Sequence, residues 1–226
     1  MSGLTHVFVR DAVAQSDVRY RVQGHKAQLW NDLALVQAAT DGACGVMCAC
    51  QCAMLLLGIP RVQITNLSRA KTEPLRSVWS LAKNSYFDGT DEDDFRQLIE
   101  TFPELECETV ISHSARVIGK TSVKAISAGA VPVVGFCSAR GISHWSLVVG
   151  YEHQPGTVSP TALLLLDASD PRPWIAFYNG RLELQAKAAS TRSKPPYTLP
   201  LRYLSGASHA VQLTTVIVVK RRAQPP

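Results

Sequence analysis

An apolar helix is predicted to begin at Cys44 and to end near Gly58-Ile59-Pro60. A helix that is apolar on every side is stable only where other elements cover it, so this segment is expected at the centre of the fold. Asp41-Gly42 precedes the cysteine and Gly45 follows it, a composition that suits a turn leading into a helix. The pattern therefore predicts a cysteine at the N-terminus of a central helix.

Cys44 is the cysteine most favoured to react as a nucleophile. The first N–H groups of a helix have no intrahelical partner, and the helix dipole is positive at that end, so both stabilise a thiolate. Later in the chain, His144 heads an apolar strand that begins with Trp145-Ser146-Leu147. This pairing indicates a cysteine nucleophile and a histidine base.

The length and composition predict a single domain. With 226 residues, of which 46% are hydrophobic, the chain can bury a substantial core. Residues 1–30 are predicted to form an N-terminal β arm, residues 31–104 a mainly helical part and residues 105–226 a mainly β part. Helices followed by antiparallel strands predict an α+β fold with a groove along the seam between the two layers.

Charge and hydropathy argue against several classes of partner. The 23 lysines and arginines exceed the 18 acidic residues by five, but no long basic stripe interleaved with aromatics is present, so nucleic-acid binding is not expected. The longest apolar runs fall far short of the ~20 residues that a membrane helix needs. Residues 1–10 lack the pattern of a secretory signal, which predicts a cytoplasmic location, with export as an effector left open.

The cysteines raise two further possibilities, disulfides and a metal. Four of the six lie in the predicted helix, where cross-links among them are geometrically difficult. Cys44, Cys48 and Cys52 recur every four residues, which leaves a zinc site as a minor alternative. Closed zinc sites usually take CxxC-type pairs from separate elements, and such pairs are missing here, so no metal or other cofactor is expected.

An aspartate follows the next apolar strand. Leu163 to Leu166 lead into Asp167, and a hairpin centred on Pro155-Gly156 would place residue 144 opposite residue 167. An aspartate in that position would fix the tautomer of the imidazole and stabilise its protonated form. Asp170 is the alternative, although Pro171 directly after it is more typical of a turn.

Gln37 is a candidate for stabilising negative charge on a reaction intermediate. It lies seven residues before Cys44, on a segment with a helical pattern that begins at Asp32. Its side-chain amide could donate a hydrogen bond to an oxyanion, together with the backbone N–H of Cys44.

Five segments occur in an order and spacing that resemble papain-like cysteine peptidases. They are Gln37, Cys44-Gly45, the run from Gly129 to Phe136, the run from His144 to Tyr151, and Leu165-Leu166-Asp167. Among these peptidases, the chain is most similar to the bacteriocin-processing branch, which cleaves double-glycine leader peptides, and to its stand-alone peptidase-like relatives. The similarity covers residues 37 to 167.

The resemblance implies a papain-like fold, in which a central helix carrying the nucleophile and a helical layer pack on an antiparallel sheet. It also implies Cys44 as nucleophile, His144 as base, Asp167 as the residue that orients the histidine, and Gln37 as oxyanion donor. A peptide or protein would be the substrate, and no cofactor would be needed. Two departures are a Gln37 one residue farther from the cysteine than in the family pattern and the absence of a proline directly after Asp167.

Other functions remain open at this point. The same triad could serve transglutaminase, deamidase or N-acyltransferase chemistry, and the protein could act as an effector or toxin on another organism's proteins. A non-catalytic peptide-binding module is a different class. It predicts a Cys44 thiol no more reactive than Cys107 or Cys137.

Overall fold

The computed structural model describes most of the chain between residues 30 and 223. The described residues are 6–9, 13–16, 19–23, 30–37, 42–138, 141, 143–153, 159–169, 178–184, 201–205 and 207–223. Asp41, Pro155-Gly156 and Asp170 lie outside them, as does most of a strand predicted from Trp174 to Tyr178.

The central helix, α1, spans Cys44–Leu57 and confirms the predicted boundaries. It ends at Gly58, whose φ of 71° is a left-handed conformation that favours glycine. Nearly all of its side chains are buried, as expected for a helix without a polar face. The other helices are α2 (Arg61–Ile64), a 3₁₀ turn (Leu67–Arg69), α3 (Leu75–Asp88), α4 (Glu92–Glu100) and α5 (Ala115–Ser127).

A capping box opens α4. The Asp91 side chain accepts a hydrogen bond from the Asp94 N–H at 2.8 Å, and Asp94 accepts one in return from the Asp91 N–H at 3.4 Å. Asp91 is therefore the N-cap residue.

The helix predicted to run from Asp32 into Gln37 is wrong. Residues 33–37 form no regular element, because their backbone groups bond to other parts of the protein. The Leu33 carbonyl accepts a hydrogen bond from Gln51, and the Ala34 carbonyl accepts one from Arg61. The Gln37 N–H donates to the Ala168 carbonyl at 2.9 Å. Tertiary hydrogen bonds replace the helical ones.

The strands form two antiparallel sheets. They are β1 (His6–Val9), β2 (Val13–Ser16), β3 (Arg19–Gln23), β4 (Trp30–Asp32), β5 (Leu105–Ile111), β6 (Val131–Ser138), β7 (Ser143–His153), β8 (Pro160–Leu166), β9 (Gly180–Glu183), β10 (Leu201–Ser205) and β11 (Ala207–Arg221). Strands β2, β3 and β4 pair only with one another within the described chain.

The larger sheet closes on itself. Its order is β7-β6-β11-β10-β9-β8, and β8 pairs again with β7 to complete a six-stranded antiparallel barrel. Strand β1 adds to β7 and β5 adds to β11, each outside this ring.

The predicted papain-like fold, with a helical layer on an antiparallel sheet, is therefore wrong. Two short strands, β9 and β10, account for the difference, because they bridge β8 to β11 and thereby close the sheet. The residue pattern predicts a polar loop from Leu184 to Thr198 and neither of these two strands, which lie on either side of that segment. With both strands in place, β8 has a partner on each side.

The barrel is packed on both of its surfaces. Side chains from all six strands, together with Ile118 and Ile126 of α5, form one apolar cluster, so this cluster fills the barrel interior. Alternate residues of β6, β7, β8 and β11 join α1, α3 and α4 in a second cluster on the outside. Packing against the outside of the barrel buries the apolar side chains of α1. Within the described chain, no helix combines the length and apolar character that crossing a membrane would require.

Candidate active site

Three of the predicted side chains meet where the start of α1 faces one end of the barrel. His144 Nε2 lies 2.7 Å from Asp167 Oδ2, and the carboxylate is fully buried. Cys44 lies next to the His144 imidazole, near enough to contribute to the raised pKa of the ring, and its Sγ lies 4.0 Å from the Gly42 carbonyl oxygen. Since Nε2 faces the aspartate, Nδ1 is the ring nitrogen left for the thiol. Thiol, imidazole and carboxylate thus form a continuous chain.

The predicted strand register is wrong, although the predicted contact forms. Leu147 pairs with Leu166, so β8 is shifted by two residues from the register that would place residue 144 opposite residue 167. A shift of two residues keeps His144 and Asp167 on the same face of the sheet, because side chains alternate along a strand. Asp167 therefore reaches the imidazole diagonally from the end of β8.

The surroundings of His144 favour its protonated form. Burial acts to lower the pKa of the imidazole, but hydrogen bonds to Asp167 and Cys44 and the negative charges of both partners outweigh it and raise the pKa to about 10. Burial likewise acts to raise the pKa of Asp167, yet the hydrogen bond and the charge of His144 hold it below its usual value. At neutral pH the site therefore holds a protonated imidazole next to the buried Asp167 carboxylate.

Asp167 is held by its neighbours as well as by His144. Its Oδ1 accepts a hydrogen bond from the Ser169 N–H at 2.8 Å, and its Oδ2 accepts one from the Tyr203 hydroxyl. The Asn179 side chain brackets the backbone of Asp167, accepting from its N–H at 2.6 Å and donating to its carbonyl at 2.7 Å. These contacts fix both the backbone and the carboxylate of the aspartate.

The turn that carries Cys44 packs closely against the start of α4. A Cβ atom at Gly45 would lie 2.5 Å from the Thr90 Cβ, so only glycine fits at this position. The Gly42 N–H donates to the Tyr86 carbonyl, and the Trp145 indole donates to the Thr90 carbonyl, each at 2.7 Å. The residues joining α3 and α4 therefore hold the Cys44 turn against β7.

Cys44 is the first residue of α1, and no side-chain cap in the described structure satisfies the N–H groups of the first turn. Those N–H groups remain able to bind a negatively charged oxygen. Gln37 lines the same cleft, and its side-chain oxygen is buried without a hydrogen-bond partner among the described residues. Gln37 is thus brought to the site, on a segment anchored to Ala168, one residue after Asp167.

The cleft over these residues has a volume of about 850 Å³ and one strongly acidic wall. Asp88, Asp91, Glu92 and Asp94 all line it, whereas no lysine or arginine of the described chain does. Asp91 and Asp94 accept the capping hydrogen bonds of α4, and Glu92 accepts one from the Thr215 hydroxyl at 2.7 Å. The acidic wall contrasts with the net charge of +5 for the whole chain.

The remaining cysteines lie in different settings. All six cysteines are free thiols. Burial raises the pKa of Cys50 to about 12, and burial together with nearby anionic groups raises that of Cys48 well above its ordinary value, so both stay protonated. Within the described ranges, no three His, Cys, Asp or Glu side chains cluster closely enough to hold a metal ion.

Sequence reasoning missed Tyr203, Asn179 and Thr90, which all contact the site or its supports. Tyr203 lies in a short strand whose pattern is that of any half-buried strand, and Asn179 resembles an ordinary turn residue. Their contacts with Asp167 arise only through barrel closure, so no local signal could have found them.

The site brings together a thiol at a helix N-terminus, an imidazole oriented by a buried carboxylate, and an amide side chain along one cleft. No protein-family model matches the chain, and no curated protein matches it either.

Proposed function

We propose that the protein is a cysteine peptidase that hydrolyses peptide or isopeptide bonds in a protein substrate. The Cys44 thiolate attacks the carbonyl carbon of the scissile amide, and the resulting oxyanion accepts hydrogen bonds from the Cys44 N–H and Gln37. The His144 imidazolium gives its proton to the leaving amine, which departs to leave a thioester. Water then attacks the thioester while neutral His144 takes its proton, and collapse of the intermediate releases a carboxylic acid, which ionises, and restores the Cys44 thiolate and the His144 imidazolium.

The contact of His144 with both Cys44 and Asp167 is the single observation that carries this proposal. Burying a charged group costs free energy. Packing alone therefore does not explain a buried carboxylate next to a histidine that contacts a cysteine. The resemblance of Gln37, Cys44, His144 and Asp167 to the pattern of bacteriocin-processing peptidases supports a peptide as the substrate. Six free thiols accord with a reducing compartment, and a cytoplasmic location is part of the proposal.

Thiol alkylation tests the assignment of the nucleophile. Below pH 7, iodoacetamide should modify Cys44 selectively, because only this cysteine contacts a histidine whose pKa is raised to about 10. The His144→Ala variant should lose most of this selectivity. Mass-spectrometric site mapping across pH measures both results.

Cys107 and Cys137 are internal controls, because both are partly exposed thiols outside the triad. Labelling of Cys44 no faster than these two would contradict the peptidase assignment and favour a non-catalytic binding module.

The acidic wall of the cleft predicts a preference for positively charged substrates. Peptides with lysine or arginine near the scissile bond should be cleaved faster than their glutamate counterparts. Asp88→Lys should raise the KM for a basic peptide by roughly threefold to tenfold, through lost attraction at the cleft wall. Steady-state kinetics at low ionic strength measures this change.

Asp93→Lys is the matched control. It makes the same change in net charge as Asp88→Lys, but at a residue of α4 that does not line the cleft. An equal increase of KM in both variants would show that overall charge, and not the cleft wall, governs binding.

A peptide library analysed by mass spectrometry separates hydrolysis from the related acyl-transfer reactions. Hydrolysis yields two shorter products, transfer to an amine yields a new amide, and deamidation raises the mass of a glutamine residue by about one unit, since a carboxylate replaces the amide. New amides or deamidated products without cleavage would redirect the assignment to transglutaminase or deamidase chemistry on the same residues.

A further inference from the structure

The barrel interior supplies a second donor to the triad carboxylate. The Tyr203 hydroxyl donates to Asp167 Oδ2 at 2.5 Å, and this is the same oxygen that accepts the hydrogen bond from His144 Nε2 at 2.7 Å. The other oxygen, Oδ1, accepts from the Ser169 N–H. Both residues of the Tyr203–Asp167 pair are buried, with exposed fractions of 6% and 1%. We propose that Tyr203 is a positioning residue that fixes the Asp167 carboxylate so that it holds His144 in the reactive orientation.

The fold provides space for the Tyr203 ring at one particular position of the neighbouring strand. A Cβ atom at Gly180 in β9 would lie 2.9 Å from Tyr203 Cε2 and 3.1 Å from its hydroxyl oxygen. Any other residue at this position would displace the ring from Asp167. The ring also packs on Phe136, whose centroid is 5.0 Å from that of Tyr203 and 5.3 Å from that of His144. Gly180 and Phe136 therefore fix the position of the hydroxyl.

The groups around Asp167 define what the Tyr203 hydroxyl contributes. His144 faces the carboxylate from β7, Tyr203 from β10, and Cys48 from α1, where its raised pKa keeps it a neutral thiol. Burial acts to raise the pKa of Asp167, and the hydrogen bonds from His144 and Tyr203 oppose it. Without the hydroxyl, Oδ2 keeps only the histidine as donor. Asp167 then gains a proton at higher pH, and the protonated carboxyl no longer stabilises the imidazolium.

The test compares Tyr203→Phe with Tyr151→Phe, a variant that removes a hydroxyl from β7 on a side chain packed against the same interior cluster. Protein labelled with ¹³C-aspartate is titrated by NMR, and the Asp167 carboxyl signal is assigned from its absence in Asp167→Asn. Tyr203→Phe should raise the titration midpoint of Asp167 by roughly one pH unit, the size expected for a hydrogen bond to a charged group. Tyr151→Phe should leave the midpoint unchanged.

Kinetics provides a second measurement, and its meaning rests on the proposed peptidase activity. Tyr203→Phe should lower kcat about tenfold with little change in KM, and the acidic limb of the pH profile should move to higher pH. Since the NMR titration needs no substrate, it tests the role of Tyr203 even if Cys44 proves unreactive.

A third variant keeps the proposal testable if the hydroxyl is also needed for folding. Gly180→Ala retains the tyrosine but crowds its ring, and it should raise the Asp167 midpoint by a smaller amount in the same direction. An unchanged midpoint in folded Tyr203→Phe would overturn the proposal. Lower thermal stability without any titration shift would likewise assign Tyr203 a packing role alone.

Discussion

Replacing Cys44 with serine should abolish peptide hydrolysis and leave the fold intact. Cys44 is only 7% exposed, and serine differs from it by one atom, so packing around the start of α1 should change little. A serine hydroxyl, however, is far less acidic than a thiol and needs a neutral base to activate it. In the variant the Asp167 carboxylate still favours the protonated form of His144, which cannot take that proton. We expect a loss in kcat/KM of at least about 10⁴-fold.

The measurement is kcat/KM for the best-cleaved peptide of the library, with circular dichroism to verify folding. Cys137→Ser is the matched control, because Cys137 lines the same cleft and lies 3.3 Å from the Ser143 hydroxyl, away from the histidine–aspartate pair. This control should retain most of its activity. Comparable cleavage by the Cys44→Ser variant would exclude Cys44 as the nucleophile.

Asp167→Asn should reduce kcat by roughly 10² to 10⁴-fold, because an amide cannot stabilise the imidazolium that forms the working state of His144. The pH dependence should change in a defined direction. In the wild type the imidazolium persists until the pH rises through about 10, largely because the Asp167 carboxylate stabilises it against burial. With a neutral amide in its place, His144 loses its proton at lower pH. The alkaline limb of kcat/KM should therefore move to lower pH.

The rival aspartate provides the control for this prediction. Asp170→Asn removes the other carboxylate that the sequence places near the end of β8, and its activity and pH profile should match those of the wild type. The pH–rate profile of each variant gives the answer. A larger defect in Asp170→Asn than in Asp167→Asn would reverse the assignment of the triad acid.

The sequence predicts best those features that local patterns determine. Helix α1 was predictable because a long run, apolar except for Gln51, has a glycine at its end, and that glycine adopts the left-handed conformation that ends the helix. The meeting of Cys44, His144 and Asp167 was predictable because each lies at the boundary of an apolar element. The chemistry requires only that the start of this helix and the ends of these two strands meet. A small change in strand register does not prevent that meeting.

Features that depend on tertiary pairing were not predictable. Strands β9 and β10 have 4 and 5 residues, too few for a clear alternating pattern, yet they decide whether the sheet is open or closed. The two-residue shift of β8 is already present in its first pair, His153 with Pro160, so the error lies in the centre that the sequence predicts for the hairpin and not in the irregular pairing near Val148 and Gly150. Residues 33–37 have an apolar spacing typical of a helix. In the structure their backbone groups instead form hydrogen bonds with α1, α2 and the segment after β8.

Closure of the strand ring has a consequence for how the cleft can admit a substrate. A strand at an open edge can fray or slip, but β8 is paired on both sides, so its backbone amides should be among the slowest to exchange with solvent. Asp167 follows directly from this doubly paired strand. We therefore expect transient opening of the cleft to occur on the opposite side, where the α3–α4 junction contacts the turn that carries Cys44. Opening there would separate the sulfur from the imidazole and leave the histidine–aspartate pair undisturbed.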